Sequence, residues 1–165
     1  MWQTDGFVQG NAKLDDALRR LSSHINNVPE KIREFSKDEL LNRPAPGKWS
    51  IQEILGHLID SAINNLKRFT EIQFLPQPYI VQSYQQEQLV FVNNYQRLPL
   101  DHLLNLWQAL NRQILYVAQQ IPNERLQFPV NPQYDNNEMK NLEWIIADYV
   151  AHMEHHFGQI WRGEV

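Results

Sequence analysis

Three of the chain's six histidines lie within five residues near its C-terminus, in the segment AHMEHHFGQIWR. His152 and His156 are four residues apart, so on a helix they occupy neighbouring turns of one face, with Cβ atoms about 6 Å apart. Imidazoles at this spacing can bind one ion together, because Zn–N bonds are about 2.0–2.1 Å long. The pair therefore predicts two ligands of a metal site, and a third must come from elsewhere in the chain.

The periodicity of the last helix predicts which of these histidines point inward. A helix turns by about 100° per residue, and His156 falls inside the apolar face of this one, whereas His152 falls at its edge. His155 falls well outside that face, so we expect it to face solvent. The apolar face is defined by Leu142, Ile145, Ile146, Tyr149, Met153 and Ile160.

His57 is the best candidate for the third ligand, since it lies beside Leu58 at the edge of the apolar stripe of the second helix. His24, near the end of the first helix, and His102, near the start of the third, are the other candidates. A second interpretation stays open at this point. An inward-facing histidine is more often a hydrogen-bonded core residue than a metal ligand.

The carboxylates complete neither of two known metal-binding helix patterns. The metalloprotease pattern H-E-x-x-H needs a glutamate directly after the first histidine, and that position holds Met153. Glu154 falls on the far side of the helix, where it is a poor general base. The di-iron pattern needs a glutamate three residues before a histidine, but Glu53 precedes His57 by four. Spacing therefore excludes both patterns.

Apolar periodicity predicts long helices that position these residues. The first has a stripe over residues 14–28 and is expected to end or break at Pro29, because proline lacks an amide N–H. A short helical piece is predicted around Ile32. The second helix is predicted to begin at Ser50, whose spacing from Glu53 is that of a capping box.

The second half of the chain predicts two more helices. A helical region spans residues 83–121, with its main part starting at Pro99, and a last helix spans residues 141–161. The chain has little β signal, and four long amphipathic helices in this length indicate an all-α four-helix bundle. The long loops on either side of the third helix are of the kind that often carries function.

Composition limits the function further. The chain has 165 residues, 42% of them hydrophobic and 21% charged, which is typical of one globular domain. It has no cysteine, which excludes disulfides, thiolate ligands and a cysteine nucleophile. A net charge of −4 disfavours nucleic acid as a partner, and no apolar run is long enough for a membrane span. With no signal peptide visible, we expect a cytoplasmic protein.

The motifs resemble those of a known family. The segments PAPGKWSIQEILGHLIDSAINNLKRF and LEWIIADYVAHMEHHFGQI are similar to the DinB-like superfamily, and within it to the YfiT-like branch. The resemblance covers nearly the whole chain and is most specific at K-W-S, H-L-x-D-S and the final H-x-x-H-H-x-x-x-I. It implies one up-down-down-up four-helix bundle domain over residues 1–165, with a metal held by His57, His152 and His156. Gln159 departs from the branch pattern, in which some relatives have another histidine.

The resemblance also implies a chemistry. The family metal is usually Zn or Ni, and the better-understood branches are transferases that use a low-molecular-weight thiol such as bacillithiol or mycothiol. Other members are regarded as metal-dependent hydrolases, so the expected partner is a small-molecule substrate. A metal-binding protein without turnover, acting as a sensor or interaction protein, is the alternative. Relatives often pair through helix faces, so a homodimer is among the expectations.

Residues near the predicted ligands are candidates for supporting roles. Asp60, three residues after His57, is the candidate for orienting an imidazole, since metal-bound histidines usually have such a partner. A surface helix carboxylate is the alternative for Asp60, and core packing is the alternative for each aromatic residue. The candidates for lining a substrate pocket are Trp49, Tyr149 and Phe157, with Arg68 and Lys67 as possible contacts for an anionic substrate.

Overall fold

A computed structural model describes residues 12–133 and 138–162. Four helices of 20 to 22 residues form a bundle, and shorter elements connect them. No helix in the two described ranges is long and apolar enough to cross a membrane. In chain order the elements are α1 (Ala12–Arg33), α2 (Lys37–Leu41), α3 (Ile51–Glu71), β1 (Tyr79–Ile80), α4 (Gln86–Asn93), a 3₁₀ turn (Tyr95–Arg97), α5 (Leu100–Gln119), α6 (Asn123–Leu126), β2 (Pro129–Asn131), β3 (Lys140–Asn141) and α7 (Leu142–Arg162).

Side-chain contacts give the direction of each long helix. Arg20 contacts Glu154, and Phe35, just after α1, stacks on Trp161, so α1 and α7 run parallel. α3 and α5 both run antiparallel to α7, which confirms the up-down-down-up order of the bundle. The contacts that show this are His57 with His156 and Phe69 with Tyr149 for α3, and Trp107 with Phe157 and Asn111 with Tyr149 for α5.

The parallel neighbours α3 and α5 need a connection that returns along the bundle. Residues 72–99 make this crossover, and a small sheet ties it to the loop before α7. In this sheet β2 is central, parallel to β1 and antiparallel to β3, with Val130 opposite both Tyr79 and Lys140. The sequence had little β signal, because strands of two or three residues are too short to show alternation.

The prediction that Pro29 ends or breaks the first helix is wrong. α1 continues through Pro29 to Arg33. Proline removes one helical hydrogen bond, but Val28 and Ile32 on either side of it are buried in the core. Packing of this face outweighs the local preference of one residue.

The helical region predicted over residues 83–121 is interrupted in the structure. α4 ends at Asn93, and the next residue, Asn94, has a left-handed backbone with φ of 52°. The 3₁₀ turn follows, and α5 then starts directly after Pro99, as predicted for the main part. The break lets the chain turn over α3 and places Tyr95 against that helix, beside Gly56 and Asp60.

Candidate metal centre

The structure brings His57, His152 and His156 together between α3 and α7. The Nε2 atoms of His57 and His152 are 3.5 Å apart, and those of His152 and His156 are 3.2 Å apart. One ligand nitrogen from each residue lies within 4.8 Å of the other two. Nitrogens bound to one tetrahedral zinc ion are about 3.3 Å apart, from Zn–N bonds of about 2.0–2.1 Å. The cluster therefore has the size of a three-histidine metal site.

α7 presents its histidines as the periodicity predicted. His156 is buried and His152 is partly buried, whereas His155 is exposed. The six residues of the predicted apolar face are all buried. The Cβ direction along one helical face thus places His152 and His156 side by side, with ring centroids 4.6 Å apart.

α3 presents His57 from a firmly held first turn. Ser50 and Glu53 form the predicted capping box, in which the Ser50 amide donates to Glu53 at 2.9 Å. Glu53 also accepts two hydrogen bonds from Arg43, whose Nε lies 2.8 Å away. Trp49, just before the helix, places its ring 4.9 Å from the His57 ring. The cap and the indole together restrict the position of the imidazole.

The two other candidate histidines lie outside the cluster. His24 Nε2 is 2.8 Å from a carboxylate oxygen of Glu154, and the same carboxylate pairs with Arg20. This network joins α1 to α7 on the side away from the three histidines, in agreement with the predicted position of Glu154. His102 is exposed on α5.

Burial keeps the three imidazoles neutral. Desolvation, with a smaller contribution from the neighbouring histidines, lowers the pKa of His57 to about 3 and that of His152 to about 4. Burial also lowers the pKa of His156, and the hydrogen bond that this ring donates to the Gln159 oxygen acts in the opposite direction. Neutral imidazole is the form that binds a metal, and imidazole suits ions such as Zn, Ni and Cu. The donor set therefore fits a divalent transition metal at neutral pH.

The Nδ1 atoms of His156 and His57 differ in their hydrogen bonding. His156 Nδ1 lies 2.7 Å from the Oε1 atom of Gln159. His57 Nδ1 is buried and has no hydrogen-bond partner among the residues that the structure describes. In the sequence, Gln159 stands out only as a departure from a family pattern. The signal that could have found it is its spacing of three residues from His156, which puts both on one helical face.

No hydrogen bond joins Asp60 to His57 in the structure. Its Oδ1 accepts hydrogen bonds from Tyr95 at 2.6 Å and Asn93 at 3.2 Å, and its buried Oδ2 has no partner within the described ranges. Burial raises the pKa of Asp60, partly offset by these two donors. Asp60 therefore holds the crossover segment against α3, and its predicted role in orienting an imidazole stays a prediction.

The pocket candidates lie in different surroundings. Trp49 lies against His57, as described above. Tyr149 is buried, and its hydroxyl donates to Asn111 at 2.6 Å. Arg68 donates to the Gln82 carbonyl at 2.6 Å and lies over the Tyr84 ring. Phe157 packs in the core against the His24 and Trp107 rings, and Lys67 is exposed beside Glu71. Substrate contact by any of these residues stays a prediction.

Fold and site together define a class of protein: an up-down-down-up helical bundle with a three-histidine cluster between two of its helices. The model of the DinB superfamily matches residues 13–160. Since this match covers most of the 165 residues, the chain belongs to the DinB superfamily.

Two bacterial relatives carry the name "Putative metal-dependent hydrolase". The protein of Oceanobacillus iheyensis is 22% identical over 143 residues, which make up 87% of this chain and 80% of that protein. The protein of Halalkalibacterium halodurans is 24% identical over 140 residues, which make up 82% of this chain and 80% of that protein. The chain thus spans most of the length of both.

Two solved structures have a similar fold. YfiT from Bacillus subtilis, described as "a probable metal-dependent hydrolase with an unusual four-helix bundle topology", matches with a TM-score of 0.81 at 17% identity, over 97% of this chain and 90% of that one. The mycothiol-dependent maleylpyruvate isomerase matches with a TM-score of 0.62 at 13% identity, over 86% of this chain and 59% of that one. At these identities the likeness shows the fold alone.

Proposed function

We propose that this protein is a metalloenzyme that binds one divalent ion, Zn or Ni, through His57, His152 and His156. The observation that carries the proposal is the meeting of three neutral imidazoles, with Nε2 atoms 3.2 and 3.5 Å apart around His152. The names of the relatives as metal-dependent hydrolases support it. Three protein ligands leave a coordination position open, which is typical of catalytic metals and not of closed structural ones.

The proposed reaction uses a small nucleophile from solution. A divalent ion bound by these histidines would lower the pKa of a water molecule, to about 7 in favourable cases. The chain's own residues hold the imidazoles: the capped start of α3 and Trp49 position His57, and Gln159 contacts His156. Partial exposure of His152 leaves this side of the cluster accessible from solvent. The substrate class for water as nucleophile is an ester or amide.

A low-molecular-weight thiol such as bacillithiol is the second candidate nucleophile, with an electrophilic carbon compound as its substrate. The likeness to the mycothiol-dependent maleylpyruvate isomerase favours it. The chain contains no cysteine of its own, so the thiol would come from the cosubstrate. In this reaction the thiol loses its proton to solvent, a C–S bond forms, and the leaving group of the electrophile departs with the electron pair of the bond that breaks.

Metal analysis tests the site. We expect about one ion per chain in the wild type and its loss in His57→Ala, in His152→Ala and in His156→Ala. His155→Ala is the matched control, because this histidine is adjacent to a ligand but exposed. Retention of full metal content by all three ligand variants would overturn the proposed site.

Turnover is tested separately with the metal-loaded protein. Ester and amide substrates test the hydrolase, and a panel of thiols with a reactive electrophile tests the transferase. We expect one of the two rates to exceed background and to fall to background in His152→Ala. Stoichiometric metal with background rates in both assays would indicate a sensor or interaction protein instead.

We also propose how the protein assembles, where it is located and how it folds. We expect a homodimer, a cytoplasmic location and one folding unit over the whole chain. Light scattering of the metal-loaded protein measures the first of these directly. A monomer at micromolar concentration would contradict the expected pairing of helix faces.

A further inference from the structure

The side-chain amide of Gln159 lies against the edge of His156 that faces away from the cluster. Its Oε1 is 2.7 Å from His156 Nδ1, while His156 Nε2 points to His152 at 3.2 Å. Both residues are on α7, three positions apart, so the contact lies within one helical face. Gln159 is partly buried, and its amide is therefore held where it can act on the ring.

An amide oxygen accepts hydrogen bonds and cannot donate one. A neutral imidazole carries one N–H, and beside this oxygen it must be Nδ1–H. The lone pair is then on Nε2, which faces the other two histidines. If the amide nitrogen faced the ring instead, the proton would move to Nε2 and block the atom that a metal needs.

The position of the Gln159 amide nitrogen is consistent with this orientation. Gln159 Nε2 lies 3.5 Å from the Nε2 atom of His155, a distance at the upper limit for a hydrogen bond. A nitrogen donor facing an imidazole acceptor on this side leaves the oxygen for His156. His57 lacks such an arrangement, since its Nδ1 has no partner in the described parts of the chain.

We propose that Gln159 is a positioning residue that sets the tautomer and ring orientation of His156 for metal binding. This inference rests on the proposed metal site but is measurable without turnover. Groups that accept the outer N–H of a metal-bound histidine also make the imidazole a stronger ligand, and their loss typically lowers metal affinity roughly 10–100-fold. We expect a loss in that range when the acceptor oxygen is removed.

Three variants separate positioning from packing. Gln159→Met keeps the length of the side chain and removes the acceptor, whereas Gln159→Glu keeps an acceptor oxygen at the same position. Gln113→Met makes the same change at an exposed position of α5. Affinity for Zn is measured by competition with a chromophoric chelator, and the His156 tautomer of metal-free protein is measured from its ¹⁵N chemical shifts.

The expected pattern has two parts. Gln159→Met binds Zn roughly 10–100-fold more weakly and no longer holds His156 in the Nδ1–H tautomer. Gln159→Glu and Gln113→Met bind as the wild type does. Wild-type affinity in Gln159→Met, an equal loss in Gln159→Glu, or a wild-type His156 that is protonated at Nε2 would each overturn the proposal. If the wild type binds no metal, the proposed function fails, and the tautomer measurement still decides this inference.

Discussion

α3 and α7 each have 21 residues and each supply histidines to the cluster, but they are buried in different ways. α7 has one buried face and an exposed one that carries His155 and Trp161. In α3, residues 51–62 are buried on every side. The crossover segment makes the difference, because Tyr95 lies on the side of α3 that would otherwise face solvent.

The burial of α3 includes polar side chains that a helix normally exposes. Three of them bond to residues outside the helix, which offsets part of the cost of burying polar groups. Gln52 donates to the carbonyls of Tyr95 and Leu98 at 2.7 and 3.0 Å. Glu53 pairs with Arg43, and Asp60 accepts from Tyr95. α7 therefore packs by its apolar stripe, whereas α3 also depends on its polar contacts with the crossover.

The largest expected effect is acid destabilisation of the metal-free protein. The folded-state pKa values of His57 and His152 are lowered to about 3 and about 4, so below pH 6.5 the unfolded chain binds more protons than the folded one. Stability is therefore full above about pH 6.5 and falls with acid, by about 1.4 kcal/mol per pH unit for each histidine that stays neutral. Urea denaturation at pH 7, 6 and 5 with chelator present measures this.

A variant of α3 sharpens the acid experiment. His57→Gln removes one of the neutral histidines and should make the slope of stability against pH shallower. Asp60 acts in the opposite direction, since its raised pKa favours the folded state in acid, but it is one group against several. An unchanged slope in His57→Gln would contradict the low pKa assigned to His57.

The next largest effect is expected at Gly56 in α3. A Cβ atom there would overlap the ring of Tyr95. Gly56→Ala should therefore push the crossover off the helix and destabilise by about 1–3 kcal/mol, the usual cost of overpacking. Thermal denaturation with chelator measures the change. A neutral or stabilising result would mean that the crossover does not cover α3 closely.

A smaller effect is expected for the hydroxyl that joins the crossover to α3. Tyr95→Phe removes the 2.6 Å donor to Asp60 and leaves only Asn93 on that carboxyl group. We expect a loss of about 1–2 kcal/mol, since the acceptor is buried. Tyr149→Phe is the counterpart on α7, where the acceptor is the neutral side chain of Asn111. Its urea midpoint should fall less, and a larger fall would reverse the comparison.

The smallest effect has the opposite sign. Gly158 lies within α7, and a Cβ atom there would meet nothing within 4 Å. Gly158→Ala should stabilise by about 0.5–1 kcal/mol, because alanine is the better helix former. The same substitution thus destabilises α3 and stabilises α7. A loss of stability in Gly158→Ala would show that this face of α7 is covered, contrary to the structure.

Much of the fold was predictable because it depends on local pattern. The capping box at Ser50, the start of α5 after Pro99 and the extent of α7 are all confirmed. The inward direction of His156 and the outward direction of His155 are confirmed for the same reason, since helical geometry alone sets them.

Other features were not predictable from local pattern. Continuation of α1 through Pro29 depends on burial of Val28 and Ile32 by other helices. The sheet depends on pairing between distant segments, since β1 and β2 are fifty residues or more apart in the chain. Neither feature leaves a signal in the neighbouring residues, because the residues that cause it are distant in the chain.

The sequence by itself determined the helices, their apolar faces and the pair of histidines on α7, because a helix repeats every few residues and its faces follow from that repeat. Its motifs also pointed to His57, but only tertiary structure decided that His57 meets the pair. Tertiary structure likewise decided that Tyr95 occupies the space over Gly56 and that Asp60 accepts a hydrogen bond from the crossover. These outcomes depend on how helices pack across the bundle, which no periodicity within one segment records.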